Sequence, residues 1–196
     1  LCYSVYVLFQ LVTGVWGMAS DSLLRASGKL QAQQLSVEDF QPVNLKEDGN
    51  GWRSETPDPQ LLYVVDGYVT SLRIEMEFNA PAGELDLYYT QKPGENFDKY
   101  RRVWAVQQQD GSYLYTLPRT KIHMLRLDPG SAENLRISFG DIEINQPASV
   151  TRYFDISLHG LFCLVLYPAL AAAILQYVLQ VYPLLLHGKQ HGKGSF

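Results

Sequence analysis

The chain has 196 residues, 46% of them hydrophobic and 18% charged, with a net charge of −4, enough for one ordinary domain with appendages. Its charge is confined: 14 of the 16 Lys and Arg and all 20 Asp and Glu fall between Asp21 and Asp155. That acidic middle excludes nucleic acid as a partner, because a surface that binds nucleic acid is basic.

The N-terminal run "LCYSVYVLFQLVTGVWGMAS" (residues 1–20) carries no charge and is long enough to cross a bilayer. Gln10, Thr13, Gly14 and Gly17 dilute its apolar character, and "GMA" offers a small-residue cleavage site, so a signal peptide is the alternative reading. A start at Leu, with neither Met nor a basic leader, favours a truncated transmembrane helix. Either reading sends Asp21 onward across a membrane. Residues 21–34 form a short helix or a spacer.

From residue 35 to 150 the pattern is β. "LSVEDFQPVNL" is extended, and Pro42 restricts it to a sheet edge. "KEDGNGWRSETPDPQ" is dense in turn residues and reads as a loop. "LLYVVDGYVTSLRIEMEF" gives a short strand, a turn at Asp66-Gly67 and a second strand with Leu72, Ile74, Met76 and Phe78 on one face. "ELDLYYTQ" resumes the alternation, with Leu85, Leu87 and Tyr89 opposite Asp86 and Tyr88, and is expected to pair with the strand before it as a hairpin. After the loop "KPGENFDKY", "RRVWAVQQQ" alternates Val103 and Ala105 against Trp104 and Val106. Asp110-Gly111 is a hairpin turn leading into "SYLYTLPR", "KIHMLRLDPG" and "LRISFGDIEI". About eight short strands with turn signals between them, and no internal helix, predict an all-β fold, an antiparallel β-sandwich or a barrel, the sandwich packing two sheets face to face. Leu125, Leu127, Leu135, Ile137 and Phe139 join the predicted core.

The second charge-free run, residues 156–186, is 31 residues long with only the titratable His159, and is predicted to be a second transmembrane helix, kinked at Pro168. Gln176 and Gln180, one turn apart, mark a face for packing against other transmembrane helices of the same protein or complex. The tail, residues 187–196, is basic through Lys189 and Lys193, which places it in the cytoplasm and residues 21–155 outside it. Both cysteines, Cys2 and Cys163, lie in the apolar runs, so the middle domain must be stabilised by its own core.

The ordered set "DFQPVNL", "SETPDPQLLY", "SLRIEMEF", "LDLYYT", "LYTLP", "MLRLDPG" and "LRISFGDIEI", spanning roughly Leu35 to Asn145, resembles a bacterial β-sandwich domain similar to jelly-roll carbohydrate-binding modules. "DPQL" and "LRLDPG" are its most specific pieces. The resemblance implies an extracytoplasmic module of multi-pass membrane proteins of surface-polysaccharide assembly, including glycosyltransferase-like ones.

Sugar binding needs aromatic platforms and polar side chains that satisfy hydroxyls. The candidates are Trp52, Tyr89, Tyr100 and Trp104, with Arg101, Arg102 and Asp98 as polar neighbours; the competing role for such aromatics is cross-strand packing. Asp48, Asn50 and Asp58 are oxygen ligands that could hold a structural calcium, although turn chemistry accounts for the same residues; no other cofactor is expected. Glu75/Glu77, Glu84/Asp86 and Asp141/Glu143 read as the outward faces of strands, not as hydrolase dyads. There is no serine elbow, dinucleotide fingerprint or phosphate loop. The sequence therefore points to a non-catalytic module that contacts or positions glycan. The alternatives are a protein-contacting sensor or assembly module, or a fragment of a membrane glycosyltransferase whose catalytic part lies outside these residues.

Overall fold

The computed structural model describes residues 2–49, 51–154 and 158–188. The chain divides into two compact units: residues 21–148, and a helical unit made of residues 1–20 and 149–196.

In the helical unit, helix α1 (Cys2–Ala26) runs past the predicted span and into the supposed spacer. Its Thr13 hydroxyl donates to the carbonyls of Phe9 (2.9 Å) and Gln10 (3.1 Å), and Ser20 donates to Trp16 O at 2.7 Å. The polar side chains are thus satisfied by the helix itself, while Leu8, Phe9, Val12, Val15 and Trp16 stand exposed. Gly14 is buried where a short helix, α2 (Val150–Tyr153), leads into Phe154. A Cβ at Gly14 would lie 2.6 Å from both Phe154 Cε1 and Tyr153 O, so only glycine permits this approach. Helix α3 (Leu158–Gly188) follows, with Gln176 and Gln180 both exposed. Among the described residues one stretch, Val7–Ala26, is long and apolar enough to cross a membrane; the apolar stretch within α3, Val165–Gln180, is shorter. The basic tail from residue 189 onward, including Lys189 and Lys193, lies outside the described residues.

The unit of residues 21–148 is an antiparallel β-sandwich. One sheet holds seven strands: β3 (Leu45–Asp48), β4 (Gly51–Ser54), β12 (Arg136–Ile144), β6 (Ser71–Phe78), β10 (Tyr113–Thr116) and β9 (Val106–Gln107) in that order, with β1 (Gln33–Leu35) also on β12. The other holds five, in the order β2 (Gln41–Val43), β5 (Gln60–Tyr68), β11 (Lys121–Asp128), β7 (Asp86–Thr90) and β8 (Arg102–Trp104). The long strands β5, β6, β7, β10, β11 and β12 alternate between sheets, so each connection crosses the sandwich. Leu61, Leu72, Ile74, Leu87, Ile122, Leu125, Leu127 and Ile142 are fully buried between the layers. The predicted core holds throughout, with Phe78, Leu85 and Phe139 at its margin, partly buried. Pro42 sits on the edge strand β2, where its missing N–H costs no ladder bond.

Three local expectations are corrected. The strands β6 and β7 do not form a hairpin: β6 pairs with β10 and β12, and β7 pairs with β11 and β8 in the opposite sheet. Alternation fixes which face of a strand is buried but not which strand it meets. The supposed loop after residue 45 contains the hairpin β3–β4, in which Trp52 opposes Glu47. Asp66-Gly67 is no turn but lies inside β5, where Asp66 (φ +49°) accompanies a bulge opposite Ile122 and Met124. The Asp110-Gly111 turn forms as expected: Gly111, at φ +88°, donates to Gln108 O at 3.1 Å and joins β9 to β10.

The last turns of α1 belong to the sandwich unit. Arg119 Nε donates to Asp21 at 2.6 Å, and Arg25 Nη2 donates to the Asn145 carbonyl at 2.7 Å. Asn145, 2% exposed, closes the domain: its Oδ1 accepts from Thr70 N at 2.8 Å, and its Nδ2 donates to Tyr68 O at 2.7 Å and Gln31 O at 3.2 Å.

Candidate functional site

The five-stranded sheet turns one face to the core and the other outward, and its register decides which side chains share that outer face. Leu61, Leu127, Leu87 and Val103 form a cross-strand row facing the core. One residue along each strand, the row becomes Leu62, Arg126, Tyr88 and Arg102. Because side chains alternate with period two, this second row faces outward. The next outward row runs Asp128, Asp86 and Trp104.

These residues build an alternating stack of rings and guanidinium groups. Arg126 Cζ lies 5.9 Å from the Phe97 ring centroid and 5.2 Å from that of Tyr88. Arg102 Cζ lies 6.0 Å from the Tyr88 ring and 5.2 Å from the Trp104 ring. All four contacts are within cation–π range. Carboxylates hold the guanidiniums in place. Arg126 grips Asp128 with a fork, Nε and Nη2 both at 2.7 Å, and donates from Nη2 to Asp58 at 2.8 Å. Arg102 Nη2 meets Asp86 Oδ2 at 2.6 Å and Glu84 Oε2 at 2.7 Å.

Burial and charge set the protonation of this layer. Burial pushes the Asp128 carboxyl above its ordinary range, against the opposing pull of Arg126. Burial likewise raises Tyr88, and the hydrogen bond to Asp86 strengthens the hold of Arg102 on its proton. Asp86 is 5% exposed, and its Oδ1, like Arg102 Nε, has no hydrogen-bond partner among the described residues. Trp104 caps the stack at 64% exposure.

Beside the stack, the loop before β8 carries the other candidates. A single 3-10 turn, Lys99–Arg101, is capped by Asp98, whose carboxylate accepts from Tyr100 N at 3.0 Å. Tyr100 is 81% exposed, with Lys99 Nζ 5.2 Å from its ring centroid. Arg101 pairs with Glu95, which also accepts from Gln91 N (2.8 Å) and Lys92 N (3.2 Å). Arg101, and then the Gln91 N–H, holds the Glu95 carboxyl down to about 2.

Five of the predicted residues therefore come together at one edge: Asp98, Tyr100, Arg101, Arg102 and Trp104. Two do not. Tyr89 lies in the core-facing row with Leu125 and packs against the core. Trp52 is in the other sheet, opposite Ile137, and with Phe139, Glu38 and Glu47 lines a separate depression of about 270 Å³. Sequence reasoning missed Tyr88, Phe97, Arg126 and the role of Glu84. The signal for Tyr88 was present, since the alternation that buries Leu87 and Tyr89 turns Tyr88 outward.

Two of the proposed calcium ligands, Asp48 and Asp58, are engaged by arginines. Asp48 accepts from Arg53 Nε at 2.8 Å and pairs with Arg136 at 3.1 Å, and its carboxyl is held low chiefly by Arg53. Asp58 is held by Arg126 and by Gln60 Nε2 at 2.7 Å. Asn50 lies outside the described residues. Among the described residues no three His, Cys, Asp or Glu side chains converge on a common metal position.

No protein-family model matches the chain, and no curated protein matches it. Solved structures of carbohydrate-binding modules do. A low-affinity xylan-binding module from Roseburia intestinalis is 9% identical over 61% of this chain and 98% of its own, with a TM-score of 0.41. A β-1,3-glucan-binding module from Bacillus halodurans is 13% identical over 58% of this chain and 96% of its own, with a TM-score of 0.36. A module from Clostridium stercorarium in complex with cellobiose is 10% identical over 59% of this chain and 87% of its own, with a TM-score of 0.30.

Proposed function

We propose that the sandwich is a non-catalytic module that contacts glycan across the outer face of its five-stranded sheet. One observation carries this reading: an exposed indole, Trp104, sits beside the Arg102 guanidinium, which is fixed by Asp86 and in turn holds the exposed carboxylate of Glu84. A sugar ring needs that combination, a flat apolar plane bordered by rigid donors and acceptors for its hydroxyls. Tyr100 extends the platform along the edge. The exposed apolar face of α1 supports tethering at a membrane, with α3 as a second anchor that meets other helices through Gln176 and Gln180. The basic tail supports an extracytoplasmic sandwich. The setting in surface-polysaccharide assembly or beside a glycosyltransferase follows from the resemblance of residues 35–145 described above.

The test is titration of the full chain, in detergent, with soluble xylan, β-1,3-glucan and cello-oligosaccharides by calorimetry. Saturable binding of at least one polymer is expected, weakened about tenfold by Trp104→Ala, the scale of one aromatic contact, and unchanged by Trp52→Ala. Absence of binding to every polymer, or equal loss with both variants, would refute the site. A second reading, contact with protein, is favoured by the short edge strand β9, where Val106 is 61% exposed; a partner adding a strand there would be indifferent to Trp104→Ala.

A further inference from the structure

We infer that the face selects uncharged glycan and rejects chains bearing carboxylates or sulfates; this rests on the glycan-binding reading above. The reason is the prior commitment of its cations. A site built for an acidic sugar presents an arginine whose fork is free to grip the incoming anion. Here the fork of Arg126 is closed on Asp128, and its Nη2 also serves Asp58. Arg102 spends one terminal nitrogen on both Asp86 and Glu84.

The outer face thus sets two guanidiniums against four carboxylates. Two of these, Glu84 (72% exposed) and Asp58 (59%), stand at the surface, where a ligand passes. The neighbouring loop adds Lys92, Lys99 and Arg101 against Glu95 and Asp98, which leaves the region negative overall. A ligand anion lying on the stack would meet the exposed Glu84 and Asp58, with Lys99 drawn aside over the Tyr100 ring, and like charges in contact cost affinity heavily. Hydroxyls meet no such penalty. Asp86, more than nine-tenths buried, gives Oδ2 to Arg102 and stands opposite Trp104 across the strands. The acceptors open to a ligand here are Glu84 and Asp58, and hydroxyl groups are the donors that suit them.

The discriminating experiment pairs one backbone with and without charge. The full chain is titrated with xylan and β-1,3-glucan, each unmodified and carboxymethylated, at low salt. The unmodified polymer should bind about tenfold tighter than its carboxymethylated form, and added salt should narrow the gap by screening. The double variant Asp58→Asn, Glu84→Gln releases both arginines from their exposed partners and should raise affinity for the carboxymethylated polymer about tenfold. Equal or tighter wild-type binding of the carboxymethylated polymer overturns the inference while leaving the glycan-binding reading intact. A preference that the double variant does not narrow overturns its electrostatic cause. Failure to bind either form of either polymer removes the reading itself, and the inference with it.

Discussion

Arg126 and Asp128 are neighbours on the same face of β11, two residues apart, and the fork between them places a carboxylate where water is scarce. Removing the arginine while leaving the acid strands a charge, which costs about 3 kcal/mol or more in comparable buried pairs. Arg126→Met should therefore destabilise the sandwich by about that amount at neutral pH, measured by urea unfolding. The penalty carries a pH signature. Burial already raises the folded-state pKa of Asp128. A raised folded value means that its contribution favours folding below the unfolded value, about 3.9, and that this is lost as pH rises through the folded value. The variant should thus recover part of its deficit on acidification from pH 7 towards 4, whereas loss from packing alone would show no such recovery.

The loop Gln91–Arg101 shows the opposite sign. Glu95 is held down to about 2 by Arg101 and the Gln91 N–H, so its hold on the loop is fully present above the ordinary glutamate range, near 4.3, and is lost as pH falls towards 2. Protection factors of the Gln91 and Lys92 amides should fall over that interval and be low at every pH in Glu95→Gln, with those of the β11 sheet amides unchanged. Elements such as this one mark where the sequence was readable. Period-two alternation identified the buried face of β6 and β7, and of β11 and β12 on one side of their bulges, because a half-buried strand must repeat that way; at the bulges the phase slips, and the buried Ile122, Ile142 and Ile144 were not foreseen. The partner of each strand was not readable, since one apolar face fits any other; hence the hairpin expected of β6 and β7, which lie in opposite sheets. The candidate site was half legible for the same reason. Tyr100, Arg102 and Trp104 are contiguous in the chain and were found, but Arg126 and Phe97 reach Tyr88 only through a register that the chain does not spell out locally.

At the scale of the molecule, the domain is larger than its strand pattern suggests. Leu30 is 2% exposed, β1 pairs with β12, and Asp21 and Arg25 are held by Arg119 and Asn145. Residues 21–148 should therefore fold cooperatively, whereas a fragment cut at Leu35 and Asn145 forfeits all of these. Loss of the buried Leu30 side chain alone costs about 2 kcal/mol or more. The shorter fragment should melt lower, or with a broader transition, by circular dichroism; equal midpoints would show that the helix end and β1 are ornaments to the sandwich.

The clasp at Asn145 also has a consequence for how the domain is made. Its amide ties Gln31 and Tyr68, and Leu35 of the first strand pairs with Ile142 of the last. On the ribosome the beginning of the domain is exposed roughly ten seconds before its closing strand exists, at ordinary elongation rates. Through that interval β1 has no strand to pair with. The newborn chain must then be shielded by whatever receives it, and completion of the fold is timed by the arrival of its final strand.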